Sequence, residues 1–161
     1  MSPLLDSAAT WFLDSATQER DGTLVIRLTE GLKGDERQFV EHDGQQLGPY
    51  FPVEVQAASR CVAVTFPKAR ACFSFDESLD TPDPAFERGL GQFLFPATDS
   101  TFRRFAVSRT LLAQEDDDAL EEYFLQCEDR LFQVISEAPE VRVLPEAPRL
   151  DVERTQTWFA N

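Results

Sequence analysis

The chain has 161 residues, 29 acidic side chains against 15 basic ones, and a formal net charge of −14. A surface this negative repels phosphate backbones and anionic membranes, and it attracts basic partners at long range, so nucleic acid and membrane are not expected partners. Apolar residues make up 42% and include 14 Phe, which supplies a packed core and excludes a disordered acidic tail, whose mark is charge without aromatics.

In chain order, Pro3 to Thr17 reads as a helix. Leu4, Leu5, Ala8, Trp11 and Phe12 share one face at helical spacing, and Ser2 before Pro3 suits an N-cap. From Thr23 to Glu30, Leu24, Ile26 and Leu28 alternate with Val25, Arg27 and Thr29, as in a half-buried strand. Gln38 to His42 and the run from Gln45 flank Asp43-Gly44, a dipeptide suited to a type I′ hairpin turn. Val53 to Val55 reads as a short edge strand, because Pro49 and Pro52 precede it. Arg60 to Phe66 and Ala71 to Asp76 are stronger strands, and Pro67 to Arg70 is expected to join them in a hairpin.

Residues 77–91 read as a long loop, and Gln92 to Phe95 as a short strand stopped by Pro96. Thr98 or Asp99 then caps a helix to about Leu112, with Phe102, Phe105, Ala106, Leu111 and Leu112 on its buried side. Across 120–136, Leu120, Tyr123, Phe124, Cys127, Leu131, Val134 and Ile135 fit one long helix by spacing; the alternative is a strand over 122–127 followed by a short helix from Asp129. Val141 to Leu144 reads as one more edge strand. The fold expected is α+β: an antiparallel sheet of five to seven strands with an N-terminal helix and two further helices on one face. Residues 1–144 form one domain, and 145–161 a proline-containing tail.

Thr23 to Glu30 (TLVIRLTE), Cys61 to Ser78 (CVAVTFPKARACFSFDES) and Tyr123 to Val141 (YFLQCEDRLFQVISEAPEV) together resemble small bacterial single-domain α+β proteins of unassigned function. In those, a strand of the first type precedes a long hairpin that ends near a polar triplet, here Asp76-Glu77-Ser78. A strand then leads into a short helix and an acidic-proline exit, here Glu137-Ala138-Pro139-Glu140. The resemblance covers about half of the chain and implies strand-then-helix over 120–136. It implies no reaction and no site.

The sequence shows no set of residues with catalytic spacing. His42, the one imidazole, sits at an expected solvent turn, and no CxxC, GxSxG, HExxH or phosphate-loop motif occurs. Cys61, Cys72 and Cys127 are expected to be buried thiols acting as small hydrophobes. Glu115-Asp116-Asp117-Asp118 lacks the alternation and glycine of a calcium loop, so neither metal nor other cofactor is expected. Arg103, Arg104 and Arg109 share one expected helix and suit salt bridges with nearby acids. No stretch approaches the roughly 20 apolar residues of a membrane span, and the first residues lack a basic signal region, so a reducing cytoplasm is the expected compartment.

Function is therefore expected at the surface. Glu115, Asp116, Asp117, Asp118, Glu121 and Glu122 would form an acidic partner-facing patch, with Trp158 and Phe159 either docked on the core or serving as an exposed aromatic anchor. The leading expectation is a non-enzymatic acidic protein that engages a basic protein partner, in the manner of an immunity or antitoxin protein. The alternatives are a structural or housekeeping module whose acidity serves solubility, and a small-ligand domain or enzyme with an unrecognised site. Homo-oligomerisation stays open.

Overall fold

In a computed structural model of the protein, residues 2–81, 83, 91–114 and 119–150 are described, together with the backbone of Thr157–Phe159. The strands are β1 (Thr10–Gln18), β2 (Leu24–Lys33), β3 (Gln38–His42), β4 (Gln45–Glu54), β5 (Cys61–Phe66), β6 (Ala71–Asp76), β7 (Leu94–Ala97), β8 (Glu121–Gln126), β9 (Arg130–Ser136), β10 (Glu140–Leu144) and β11 (Thr157–Phe159). One α-helix, α1 (Thr101–Arg109), occurs among the described residues. Seven strands build one sheet, in which β10, β5, β2, β4 and β11 lie in that order, β1 also pairs β2, and β3 also pairs β4. The other sheet has the order β6-β9-β8-β7, and every pairing in both is antiparallel. The expected α+β arrangement is thus overturned: the protein is mostly β, built as two layers.

Alternation in β2 and β5 explains the first layer. Leu24, Ile26 and Leu28 pair with Phe66, Val64 and Val62, so six bulky side chains share one face. They pack against Tyr123, Leu125, Phe132, Val134 and Leu94 of the second sheet in one continuous buried cluster. Phe66 and Tyr123 meet across the layers with ring centroids 6.4 Å apart.

The expected N-terminal helix is not formed. Leu5–Ser7 makes a single 3-10 turn, and from Thr10 the chain runs as β1 against β2. Trp11 is fully buried, and its indole N–H donates to the Leu5 carbonyl at 2.9 Å. Leu4, Leu5, Ala8 and Trp11 fell at helical spacing because a turn and a strand both contribute apolar residues to one core, while Phe12, next to Trp11 on the strand, points to the other side. The cross-strand ladder to β2 outweighs the local preference.

The helix expected from Asp129 is also absent. Residues 121–126 and 130–136 form the β8–β9 hairpin, so the strand of the second alternative is present and its helix is not. β9 is buried on both faces: Phe132 and Val134 meet the first sheet, while Leu131 and Ile135 point the other way. Two-sided burial removes the alternation that marks a strand, and an apolar run of this kind also matches a helix.

Pro67 to Arg70 does not close a hairpin either. It carries the chain from one sheet to the other, bonded to both. Ala69 N–H donates to the Gly22 carbonyl and Arg70 N–H to that of Ile135, each at 2.8 Å, with Lys68 at positive φ. Pro96 lies inside β7 rather than ending it, which an edge strand tolerates. Val53 belongs to the long strand β4, which contacts β2, β3 and β11. The hairpin turn at Asp43-Gly44 forms as expected, with φ of 51° and 73°. β10 lies at a sheet edge, also as expected. Of the expected loop over 77–91, Glu77–Leu79 is a 3-10 turn, and 82 and 84–90 lie outside the described residues.

α1 is capped by Ser100, whose Oγ accepts from Arg103 N–H at 2.9 Å, rather than by Thr98 or Asp99. It covers the second sheet's outer face through Ala106 and Phe102, which cluster with Ile135 and Leu120. Phe105 and Leu111 remain exposed.

Because Phe66 is fully buried between the layers, Phe66→Ala is expected to lower unfolding free energy by about 3–5 kcal/mol. Exposed Phe105→Ala should stay within about 0.5 kcal/mol. Urea denaturation of both variants checks the assignment.

Candidate protein-binding surface

Of the expected acidic patch, Glu121 and Glu122 are described. Residues 115–118 lie outside the described residues. Glu121 and Glu122 are neighbours on β8 and so point to opposite sides of the sheet. Glu121 is exposed and accepts from the Tyr123 hydroxyl at 3.0 Å. Glu122 is fully buried, which removes it from any partner-facing set. Trp158 and Phe159 belong to the other sheet, where β11 pairs them with Pro52 and Phe51 of β4. The acids of β8 and the aromatic pair therefore stand on different sheets.

Glu122 lies beneath the N-terminus of α1. The Ser100 hydroxyl donates to its Oε1 at 2.6 Å, while its Oε2 has no hydrogen-bond partner among the described residues. Burial raises its pKa above the ordinary carboxylate value; the Ser100 hydrogen bond and the Arg103 charge oppose that rise, and Asp83 adds to it. An unpartnered buried carboxylate costs free energy when ionised. Here the folded protein holds the proton more tightly than the unfolded chain. Stability is therefore fullest below the ordinary glutamate range and declines as pH rises through the elevated folded value.

Glu30 is the opposite case. Arg60 grips it with Nε at 2.7 Å from Oε2 and Nη2 at 2.6 Å from Oε1, and Nη1 also reaches Ser7 Oγ at 3.0 Å. The Arg60 hydrogen bond holds the Glu30 carboxyl below its ordinary value against the opposing effect of burial. The guanidinium lies 5.6 Å from the Trp11 ring, so this cluster clasps the N-terminal turn to β2 and β5. Its charges are satisfied and its role is to hold the fold.

The β3–β4 hairpin is the surface that sequence reasoning missed. β3 pairs only with β4, and most of its residues are exposed, so the hairpin forms a two-stranded arm. Phe39 is 56% exposed and Leu47 39%. Around them stand Asp35, Glu36 and Glu41, exposed carboxylates that make no ion pair among the described residues, and Asp43 at the tip beside His42. At the arm's base Lys33 and Arg37 lie 4.0 and 5.2 Å from the Phe51 ring centre. β11 joins β4 at that base, bringing the Trp158-Phe159 backbone to the same strand. The available signal was Asp43-Gly44 flanked on both sides by mostly polar residues, Gln38, Glu41 and His42 before it and Gln45 and Gln46 after it.

The remaining residues do not converge. The His42 side chain is 74% exposed at the arm's tip, as expected for a turn residue. Cys127 is buried, Cys61 half-buried and Cys72 exposed, so the expectation of buried thiols fails at Cys72. Of the three helix arginines, Arg104 makes the expected kind of ion pair, with Asp99 at 3.3 Å, and Arg103 donates to the Leu120 carbonyl at 3.4 Å. Depressions beside Arg27 and Cys61 and beside Phe93 and Glu128 hold about 20 and about 50 Å³. Both fall below the roughly 300–1,000 Å³ of small-ligand clefts. No group of three or more metal-ligating side chains occurs among the described residues. No described helix is long and apolar enough to cross a membrane.

No family model, curated protein or solved structure matches the chain.

Glu122→Gln keeps the acceptor for Ser100 and removes the buried charge. The variant is expected to have a higher urea midpoint than wild type at neutral pH, with the gap closing as pH falls into the ordinary carboxylate range. Matching midpoints at every pH would show that the carboxyl is not desolvated.

Proposed function

We propose that this protein is a non-enzymatic acidic binding protein that engages a basic protein partner, in the manner of an immunity or antitoxin protein. The observation that carries this reading is the β3–β4 arm, where exposed Phe39 and Leu47 stand among carboxylates without ion pairs among the described residues. A net charge of −14 steers a cationic surface toward the molecule, and a few apolar side chains then hold it. In this reading the charges of residues 115–118 and Glu121 add to the long-range field, and Trp158 and Phe159 remain candidate partner-binding residues whose backbone pairs with β4. Glu122, being buried, takes no part.

Division of labour between charge and apolar contact makes the reading testable. Immobilised wild-type protein should retain a basic protein from a lysate of the source cells, and the association rate of that pair should fall steeply with added salt. Phe39→Ala with Leu47→Ala should weaken the complex about tenfold or more, chiefly through faster dissociation. Glu41→Lys should slow association with little effect on dissociation. An association rate flat across ionic strength would sink the proposal.

A further inference from the structure

The exposed edges of the two sheets are not built alike. β1 carries a bulge between Leu13 and Ser15, and β3 one between Gln38 and Val40 together with Glu41. β7 contains Pro96, and Arg142 lies in the middle of β10. Bulges, prolines and charges of this kind prevent one sheet edge from adding to another. β6 has none of them. Its six residues, Ala71–Asp76, pair with β9 without a register shift, and no charged residue occurs before Asp76 at its end. Among the described residues no strand pairs its other edge, which is the outer edge of the sheet. Cys72, Phe73 and Ser74 are all exposed, Phe73 by 50%.

The flanking charges select what covers this edge. Arg70 precedes β6 and Asp76 ends it, while Lys68 is held in an ion pair with Glu137. An antiparallel neighbour with the same sequence brings each basic end against the other's acidic end, so the strand is complementary to itself. With the two-fold axis at Phe73, the two Phe73 side chains are directly opposite, Cys72 faces Ser74, and Arg70 faces Asp76 on both sides. Cross-strand aromatic and opposite-charge pairs are the units that stabilise such a ladder. Phe73 also stacks on Phe102 of α1, with centroids 6.0 Å apart, and exposed Phe105 follows one turn later. The apolar surface therefore continues from the strand edge onto the helix.

We propose that the protein forms a homodimer in which β6 pairs antiparallel with β6 of a second copy about Phe73. The two four-stranded sheets then become one continuous sheet of twice the width, with an isologous contact as two-fold symmetry requires. The backbone groups of both β6 edges are then paired, and an edge without bulge, proline or central charge is closed.

Light scattering and sedimentation of the full chain over a dilution series test this directly. The expected species at high concentration has twice the 18.2 kDa chain mass and dissociates on dilution. Phe73→Lys places like charges opposite each other and should weaken dimerisation about tenfold or more. Ser74→Lys also charges the edge but leaves the Phe73 stacking untouched, so it covers the case in which Phe73→Lys fails to fold. Circular dichroism confirms folding of each. For the register, Ser74→Cys in a Cys61→Ser background should give an oxidised dimer joined through Cys72, because directly opposed strand residues meet disulfide geometry. The parent with Ser74 intact should not. A wild-type chain that stays at 18.2 kDa throughout overturns the proposal, as does a folded Ser74→Lys variant that dimerises like wild type.

Discussion

Dehydration of the layer between the two sheets holds this molecule together. Ile26, Leu28, Val62, Val64 and Phe66 on one side meet Tyr123, Leu125, Phe132 and Val134 on the other, and all nine are buried. Each large apolar side chain removed from water contributes about 1.5–3 kcal/mol, whereas a typical hydrogen bond nets about 1 kcal/mol. The ladders therefore give direction to strands whose stability comes from the shared layer. Pro67 to Arg70 crosses between sheets for the same reason: β5 and β6 must stand in opposite layers for the core to close.

The outer face of the second sheet also has to be covered, and α1 covers part of it. That second burial leaves Glu122 in a dry site with only Ser100 to satisfy one of its oxygens. At the opposite extreme, the Glu30–Arg60 pair is bidentate and partly solvated, so the same residue type has its proton affinity moved the other way. Environment decides the sign: desolvation that outweighs the Ser100 hydrogen bond and the Arg103 charge in one case, a hydrogen-bonded guanidinium in the other.

What the core does not use is left to the surface. The β3–β4 arm contributes no residue of 38–50 to the buried core, and its apolar side chains are exposed among acids. The outer edge of β6 is a second such region, apolar in its middle and charged at its ends. One suits a cationic partner and the other a copy of the same chain. The two proposals occupy separate sheets and do not compete.

Legibility followed the number of dry faces. β2 and β5 alternate in sequence, and both were readable as strands because their local pattern has a clear period of two. The Asp43-Gly44 turn was readable because only a few residue types accept positive φ. β9 was not readable, since burial on both sides removed a clean apolar–polar alternation, nor was β1, whose Trp11 and Phe12 matched a helix in spacing. Among the expected site residues, adjacency in sequence placed Glu121 and Glu122 together, while the pleat of β8 sends one to solvent and the other into the interior.

The amino-acid sequence by itself determined the acidity of the surface, the supply of aromatic core residues, the tight turn and the local alternation of the best strands. These depend on composition or on neighbours a few residues away. Only the tertiary structure decided which strands share a sheet, which carboxylate is dry, and which edge and arm stay open. Those properties arise from contacts between segments far apart in the chain, where pairing and burial outweigh local preference.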